Sequence, residues 1–456
     1  MFTRHRTKTT LECERARLFV ASERGTAMIG VIGITLAVLL VGASMLALGH
    51  SEGEVVEYEV DDERAFWIAE GGLERMRGHL AALELDDPTA DPEGLTFAEQ
   101  PLGGGRYTVA VTDDVSGGSW LDAYEVVSTG EIDGVARQVK VTMVAETFSI
   151  YQWFIESGGG GYSWFRSGER FEGPVHVNGS IKIDGDPWFG GLVRAAGGLT
   201  IKEGSNPTFV NGYQLGVEPV SLPTRQYVFD TLRAAALQPG GIVLPEIGNG
   251  AHYEVVLGEP TLGELTYQGY DRNGDPVGLG GIVTISTTNG AMWSEEDVWI
   301  RGTLDGQLTV GVDGSVHIRG DIVYAASTPG SGPDPGCDDM LGLVAAGHPK
   351  GDIIIDYTTP NQNDCEVHAV MMALQKTIEA EDYMHHALRG DFTLYGGMLA
   401  DYAIHLSQYV DGIPISGYVR DYHYDPRVVL LPPPFFPFAG SFTIVTWEEV
   451  VPVVIS

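Results

Sequence analysis

From Thr26 to Leu48 the chain carries no charged side chain. At about 1.5 Å per residue this run is roughly 35 Å long as a helix, enough to cross a bilayer. The pattern then changes twice. Glu52, Glu54, Glu57, Glu59, Asp61, Asp62 and Glu63 form an acidic run, expected as a solvated stretch of helix just outside the membrane. After it, Phe66, Ala69, Leu73, Met76, Leu80 and Leu83 recur at alternating steps of three and four, which draws one apolar stripe along a helix. The stripe stops near Asp86-Asp87-Pro88, where proline forbids further helix.

Beyond the helix the period shortens. Arg106 to Thr112, Tyr124 to Ser128 and Gln138 to Val144 read as short strands between Gly-rich turns. A helix followed by a small antiparallel sheet makes a compact head, placed at 50–147. Residues 148–456 are short β segments punctuated by glycine. Val175-His176-Val177-Asn178-Gly179 leads to Ile181-Lys182-Ile183, then to Leu192-Val193-Arg194 and Leu199-Thr200-Ile201. Trp299-Ile300-Arg301-Gly302 is echoed by His317-Ile318-Arg319-Gly320, and more distantly by Leu388-Arg389-Gly390. Strands this brief at near-solenoid spacing suggest a parallel β-helix, with a β-sandwich as the alternative. A solenoid is stabilised by its own stacked turns, so 148–456 is expected to fold alone. The proline-rich run from Leu431 to Phe438 should cross it extended, as a cap. The expected class is mainly β with an N-terminal transmembrane and amphipathic helix, divided into 1–25, 26–49, 50–147 and 148–456.

Charge orients this arrangement. The formal net charge is −35, yet the first 24 residues set Arg4, Arg6, Lys8, Arg15, Arg17 and Arg24 against only Glu12, Glu14 and Glu23. Basic residues beside a span stay in the cytoplasm, so the acidic bulk lies outside. Such a surface excludes nucleic acid as a partner, because phosphate binding needs Lys and Arg patches. Of the three cysteines, Cys13 falls in the basic leader while Cys337 and Cys365 lie in the exported part. Two exported thiols in an oxidising compartment predict one disulfide, Cys337 to Cys365. A metal site with His348 or His368 is the alternative.

The N-terminal layout resembles PilX-like minor pilins of type IV pilus systems. In these a basic leader ends in Arg-Gly, here Arg24-Gly25, and a hydrophobic helix follows. An Ala-Phe-x-x-Ala-Glu-x-Gly-Leu block comes later, matched by Ala65, Phe66, Ala69, Glu70, Gly72 and Leu73. An ordinary signal anchor or a cleaved secretory signal are the competing readings; Ala43 and Met45 to Ala47 give only a poor small-x-small site. The resemblance implies cleavage between Gly25 and Thr26 by a prepilin peptidase, insertion in the bacterial inner membrane, and packing against other pilins or pseudopilins through the N-terminal helix. It also puts Gly30 where major pilins carry a glutamate, which implies a place at or near a filament tip. The region after 148 is similar to an uncharacterised bacterial surface domain that follows such heads. It is matched at Gly173 to Gly179, Leu341 to Ala346, Asp352 to Ile355, Tyr424 to Arg427 and Pro432 to Pro437.

No catalytic motif stands out: there is no Gly-x-Ser-x-Gly elbow, phosphate loop or His-Glu-x-x-His. The expectation is assembly, no enzyme activity and no cofactor. The alternatives are a membrane-anchored adhesin or a polysaccharide lyase or hydrolase using Asp184 and Asp186. Glu381, His385, His386, His405 and His423 sketch a zinc site that scattered surface histidines explain as well. Asp184-Gly185-Asp186 and Asp271 to Asp275 invite structural calcium, although Pro276 stands where an EF-hand loop needs glycine. Asn178-Gly179-Ser180 spells a glycosylation sequon. Arg319-Gly320-Asp321 and Arg389-Gly390-Asp391 spell an adhesion tripeptide and are expected to be corners.

Overall fold

A computed structural model describes residues 9–450 apart from 89, 115–121, 158–161, 249, 329, 357–362 and 411–412. The apolar run, the acidic run and the amphipathic stripe form one uninterrupted helix, α1 (Thr9–Asp86). It ends where Pro88 predicts. Its side chains from Ala27 to Val60 are solvent-exposed, and burial begins at Asp61.

The second half of α1 lies on a five-stranded antiparallel sheet. Four strands come from the head: β1 (Thr96–Leu102), β2 (Gly105–Asp114), β3 (Ala123–Ile132) and β4 (Val135–Thr147). The fifth is the C-terminal strand Phe438–Val450, which pairs antiparallel with β4. The expected boundary at 147 is corrected here. The last strand of 148–456 completes the head, and its Phe438 and Phe442 join Ala65, Ala69, Leu73, Met76 and Val141 in one core. The fragment 148–456 therefore ends in a strand whose partner lies outside it.

The remaining strands are mostly parallel and stack in register. One inward row runs Ile242, Met292, Val310, Leu343, Met371, Met398, Trp153, Val175 and Val193, each residue opposite the next. The order along this row is not the order along the chain. Trp153–Ile155 sits in the middle, and residues 153–215 build outward from it to Tyr213–Leu215. The chain then crosses to the opposite end, restarts at Ile242–Leu244, and returns strand by strand until Leu388–Ala400 pairs with Trp153–Ile155. The entry to this domain at 148 and the exit at 438 consequently lie together, beside the head they share.

Two apolar layers follow from the period of two within each strand. Inward residues form the main core, including a ladder in which Phe171, Phe189 and Phe209 stack at 5.4 and 4.9 Å between ring centres. Outward residues such as Trp293, Val344 and Met372 are also buried. They are covered by the helical connector 225–236, through Val228, Leu232 and Ala236, and by Val428 and Phe436. The proline-rich run does not close an end of the stack. It lies across the side: Pro433 and Phe436 pack over Gly342, and Pro434 over Gly290, where an added Cβ would meet them at 2.8 to 2.9 Å.

Candidate functional site

The block Ala65, Phe66, Ala69, Glu70, Gly72 and Leu73 is the seam between α1 and the sheet. Ala65, Ala69 and Leu73 are buried, and small residues let the helix come close. A Cβ on Gly72 would meet Ser128 Oγ at 2.5 Å and Val109 at 2.9 Å. From the other side, a Cβ on Gly130 of β3 would meet the Ala65 carbonyl at 2.1 Å and the Ala69 nitrogen at 2.5 Å. The buried Ser128 hydroxyl donates to the Ala69 carbonyl at 2.8 Å, reaching a helix carbonyl that the close approach brings within range. Glu70 accepts from the Trp447 indole N–H at 2.7 Å, and the Phe66 ring meets Trp447 edge-on. Arg137 of β4 pairs with both Asp62 of α1 and Glu449 of the C-terminal strand. Together these contacts lock a long helix to the sheet that strand Phe438–Val450 completes.

Above the seam, α1 presents bare apolar side chains, with Leu46 78 % exposed. This is the one helix among the described residues long and apolar enough to cross a membrane. Gly25 and Thr26 fall within α1, but their side chains lie outside the described residues. Nothing stands within 4 Å of a Cβ placed on Gly30.

At its lower end the helix meets the connector. The Tyr227 hydroxyl donates to Glu84 at 3.2 Å, in a cavity of about 370 Å³ also lined by Asp122, Asp230 and Phe438. Burial first, and then the neighbouring Asp122 carboxylate, push Glu84 up to about 7, with Asp87 adding to the rise and the tyrosine bond opposing it.

The expected disulfide is absent: Cys337 and Cys365 are both free and buried. Both belong to the main apolar core: Cys337 from a turn, where its thiol donates to Asp339 at 3.3 Å, and Cys365 from the start of an inward-facing strand. Burial raises both thiols above their usual range. His368 is buried, accepting from the Tyr324 amide and bonding Glu366, while His348 bonds Gln375. His385 and His386 share Asp382, His405 stacks on Tyr383, and His423 faces Asp421. Among the described residues no three His, Cys, Asp or Glu side chains are grouped to hold a metal.

The acidic turns are committed elsewhere. Asp184 pairs with Lys202 at 2.9 Å and Arg166 at 3.7 Å, and Asp186 accepts from the Asn206 amide. Asp271 accepts from the amides of Asn273 and Asp275 within its own hairpin turn. Asn178 of the sequon holds both the N–H and the carbonyl of Val220, fixing the start of the crossing segment. The two Arg-Gly-Asp triplets lie within the continuous strands Val316–Tyr324 and Leu388–Ala400 at points where the pairing breaks: the first strand passes from Ile353–Ile355 to Val367 across its triplet, and the second shifts register between Leu388 and Asp391. The first still bends its strand, with Gly320 at a φ of +147°, and Arg319 pairs with Asp356.

The family model of a domain of unknown function, DUF4900, matches residues 118–198, from β3 into the parallel stack. No curated protein matches. Among solved structures, the competence-associated pilin ComZ from Thermus thermophilus is similar at 14 % identity and a TM-score of 0.37, covering 86 % of this chain and 97 % of that one.

Proposed function

We propose that this chain is a membrane-inserted, pilin-like subunit of a type IV pilus or related secretion pseudopilus, acting by assembly and not by catalysis. The observation that carries the reading is the division of labour along α1. One continuous helix has a bare apolar half of membrane length, and its other half is pinned to a small sheet through Ala65, Ala69, Gly72 and Leu73. A helix built only as an anchor needs no rigid continuation into a folded head. One that must pass from the bilayer into a helical bundle does. In this reading the leader to Gly25 is cytoplasmic and removed by a prepilin peptidase, Thr26 becomes the N-terminus, and the acidic bulk stands in the periplasm or at the surface.

The large domain is read as a parallel β-helix, on the support of its in-register parallel ladders and the stacked Phe171, Phe189 and Phe209 rings. A body of this size on a thin filament favours a tip or low-copy position, as does Gly30. A buried carboxylate is costly unless paired, and a subunit with no neighbour's amine to neutralise can do without it.

N-terminal sequencing of protein extracted from membranes tests the first half of the reading. A start at Thr26 supports it, whereas a start at Met1 leaves a membrane-anchored envelope protein. Immunogold labelling tests the second, because regular decoration of a filament shaft rules out a tip position.

A further inference from the structure

Where Trp153–Ile155 meets Leu388–Ala400, the two halves of the stack are joined by a continuous ladder. On the neighbouring face they are not. Strand Tyr162–Arg166 pairs with Ser180–Asp184, and strand Ala403–His405 pairs with Thr377–Ala380 of the returning half. Among the described residues the two strands do not pair with each other, yet both line the same cleft. It encloses about 320 Å³, the size of a small-ligand site.

The lining has an unusual composition for an acidic protein. Five Trp and Tyr rings border it, Trp153, Trp164, Tyr383, Tyr402 and Tyr409, and Trp164 and Tyr402 are 41 % and 50 % exposed. Tyr402 leaves a large apolar face in contact with water, while Trp164, also part-exposed, carries the Lys182 ammonium 5.3 Å from its ring centre. Two guanidinium groups also line it. Arg420 is buried and paired with Glu169, so its charge is answered within the protein. Arg166 is not matched in this way. Its guanidinium lies 4.9 Å over Tyr409 and 5.7 Å from Trp164, and its ion pair with Asp184 is a long 3.7 Å. Placed near both rings, it keeps a fork of donors suited to a carboxylate. The indole N–H of Trp153, also in the lining, is buried and has no hydrogen-bond partner.

We propose that this cleft binds an acidic saccharide, a short uronic-acid oligomer, with sugar rings laid on Trp164 and Tyr402 and one carboxylate held by Arg166. Aromatic faces suit the apolar face of a pyranose, while the guanidinium supplies the one strong polar contact that sets orientation. The proposal concerns what the displayed domain holds, and it stands whether or not α1 enters a filament. A peptide strand added to the open edges would engage backbone groups and be indifferent to the charge at 166.

The test uses the full chain in a zwitterionic detergent without a sugar head group. Salt is held at about 0.15 M, where the long-range repulsion of the acidic surface is screened. Titration calorimetry with trigalacturonate, a glucuronate-containing tetrasaccharide and neutral galactotriose should give saturable binding for at least one acid, at least tenfold tighter than for the neutral sugar. Arg166→Gln should weaken the acid about tenfold or more and leave the neutral sugar unchanged, and Trp164→Ala should weaken both. Trp299→Phe, on a different pair of strands, should change neither and controls for folding. Absence of binding by both acids at millimolar concentration overturns the proposal, as does equal binding of the neutral sugar or an Arg166→Gln variant that binds like the parent.

Discussion

At Gly130 the distance between helix and strand is set by a missing methyl group. A Cβ there would overlap the backbone of α1 at Ala65 and Ala69, and backbone cannot swing aside as a side chain can. Gly130→Ala should therefore destabilise the head by about 1–3 kcal/mol or more, as overpacking does, read as a lower melting temperature. An unchanged melt would mean the seam is looser than drawn. Glu84 offers a second test. Its carboxyl is raised to about 7, so the folded state holds that proton more tightly than the unfolded chain does. Its contribution is fully present below about 4.5 and is lost as pH rises toward 7. Asp122 and Asp87 repel the ionised form, Tyr227 bonds it, and Asp230 lines the same cavity. Glu84→Gln should flatten the loss of stability between pH 5 and 8 relative to the parent, and parallel pH profiles would refute the assignment. For the cysteines, burial raises both thiols and so suppresses the reactive thiolate. Iodoacetamide should spare Cys337 and Cys365 in the native protein and label both in denaturant without reductant. Failure to label there would restore the disulfide.

Among the elements, local pattern showed α1 and misplaced the strand Phe438–Val450. The steps of three and four from Phe66 to Leu80 are the face that is buried, and Pro88 marks the helix end. The echo between Trp299-Ile300 and His317-Ile318 became two neighbouring strands with Trp299 opposite His317 and Ile300 opposite Ile318, because a repeat is legible when each copy meets the next. The strand Phe438–Val450 carried no such signal. Its partner β4 lies some three hundred residues upstream, and nothing local in either segment names the other. The cleft was hidden for the same reason: Trp164, Arg166, Tyr402 and Tyr409 are brought together by the stacking order alone. Removing residues 438–450 strips Phe438 and Phe442 from the head core and exposes the edge of β4. Loss of two buried phenylalanines costs about 3–5 kcal/mol each, so the truncated chain should lose the head's cooperative unfolding transition. A truncated protein with an intact head transition would show the strand to be dispensable.

Taken as a whole, the molecule is held together where its chain turns back on itself. The half built from 153–215 and the half built from 242–400 touch through Met398 on Trp153 and Ala400 on Ile155, inside one apolar core. The covalent link between them, 216–241, is long and begins exposed, so the contact and the link can be separated by experiment. A protease site placed in the exposed stretch 216–219 should allow cleavage of the folded protein without release. The continuous row through Leu343, Met371, Met398 and Trp153 is buried on both sides of the junction, and at about 1.5–3 kcal/mol for each large apolar side chain it outweighs one peptide bond's worth of tethering. Connector residues Val228 and Leu232 remain packed on the returning half after the cut, and the C-terminal strand still pairs with β4. The two fragments should co-elute in size-exclusion chromatography and part only in denaturant. Separation under native conditions would show that the halves fold independently and are merely strung together, and the cleft between them would then have no fixed shape with which to hold a ligand.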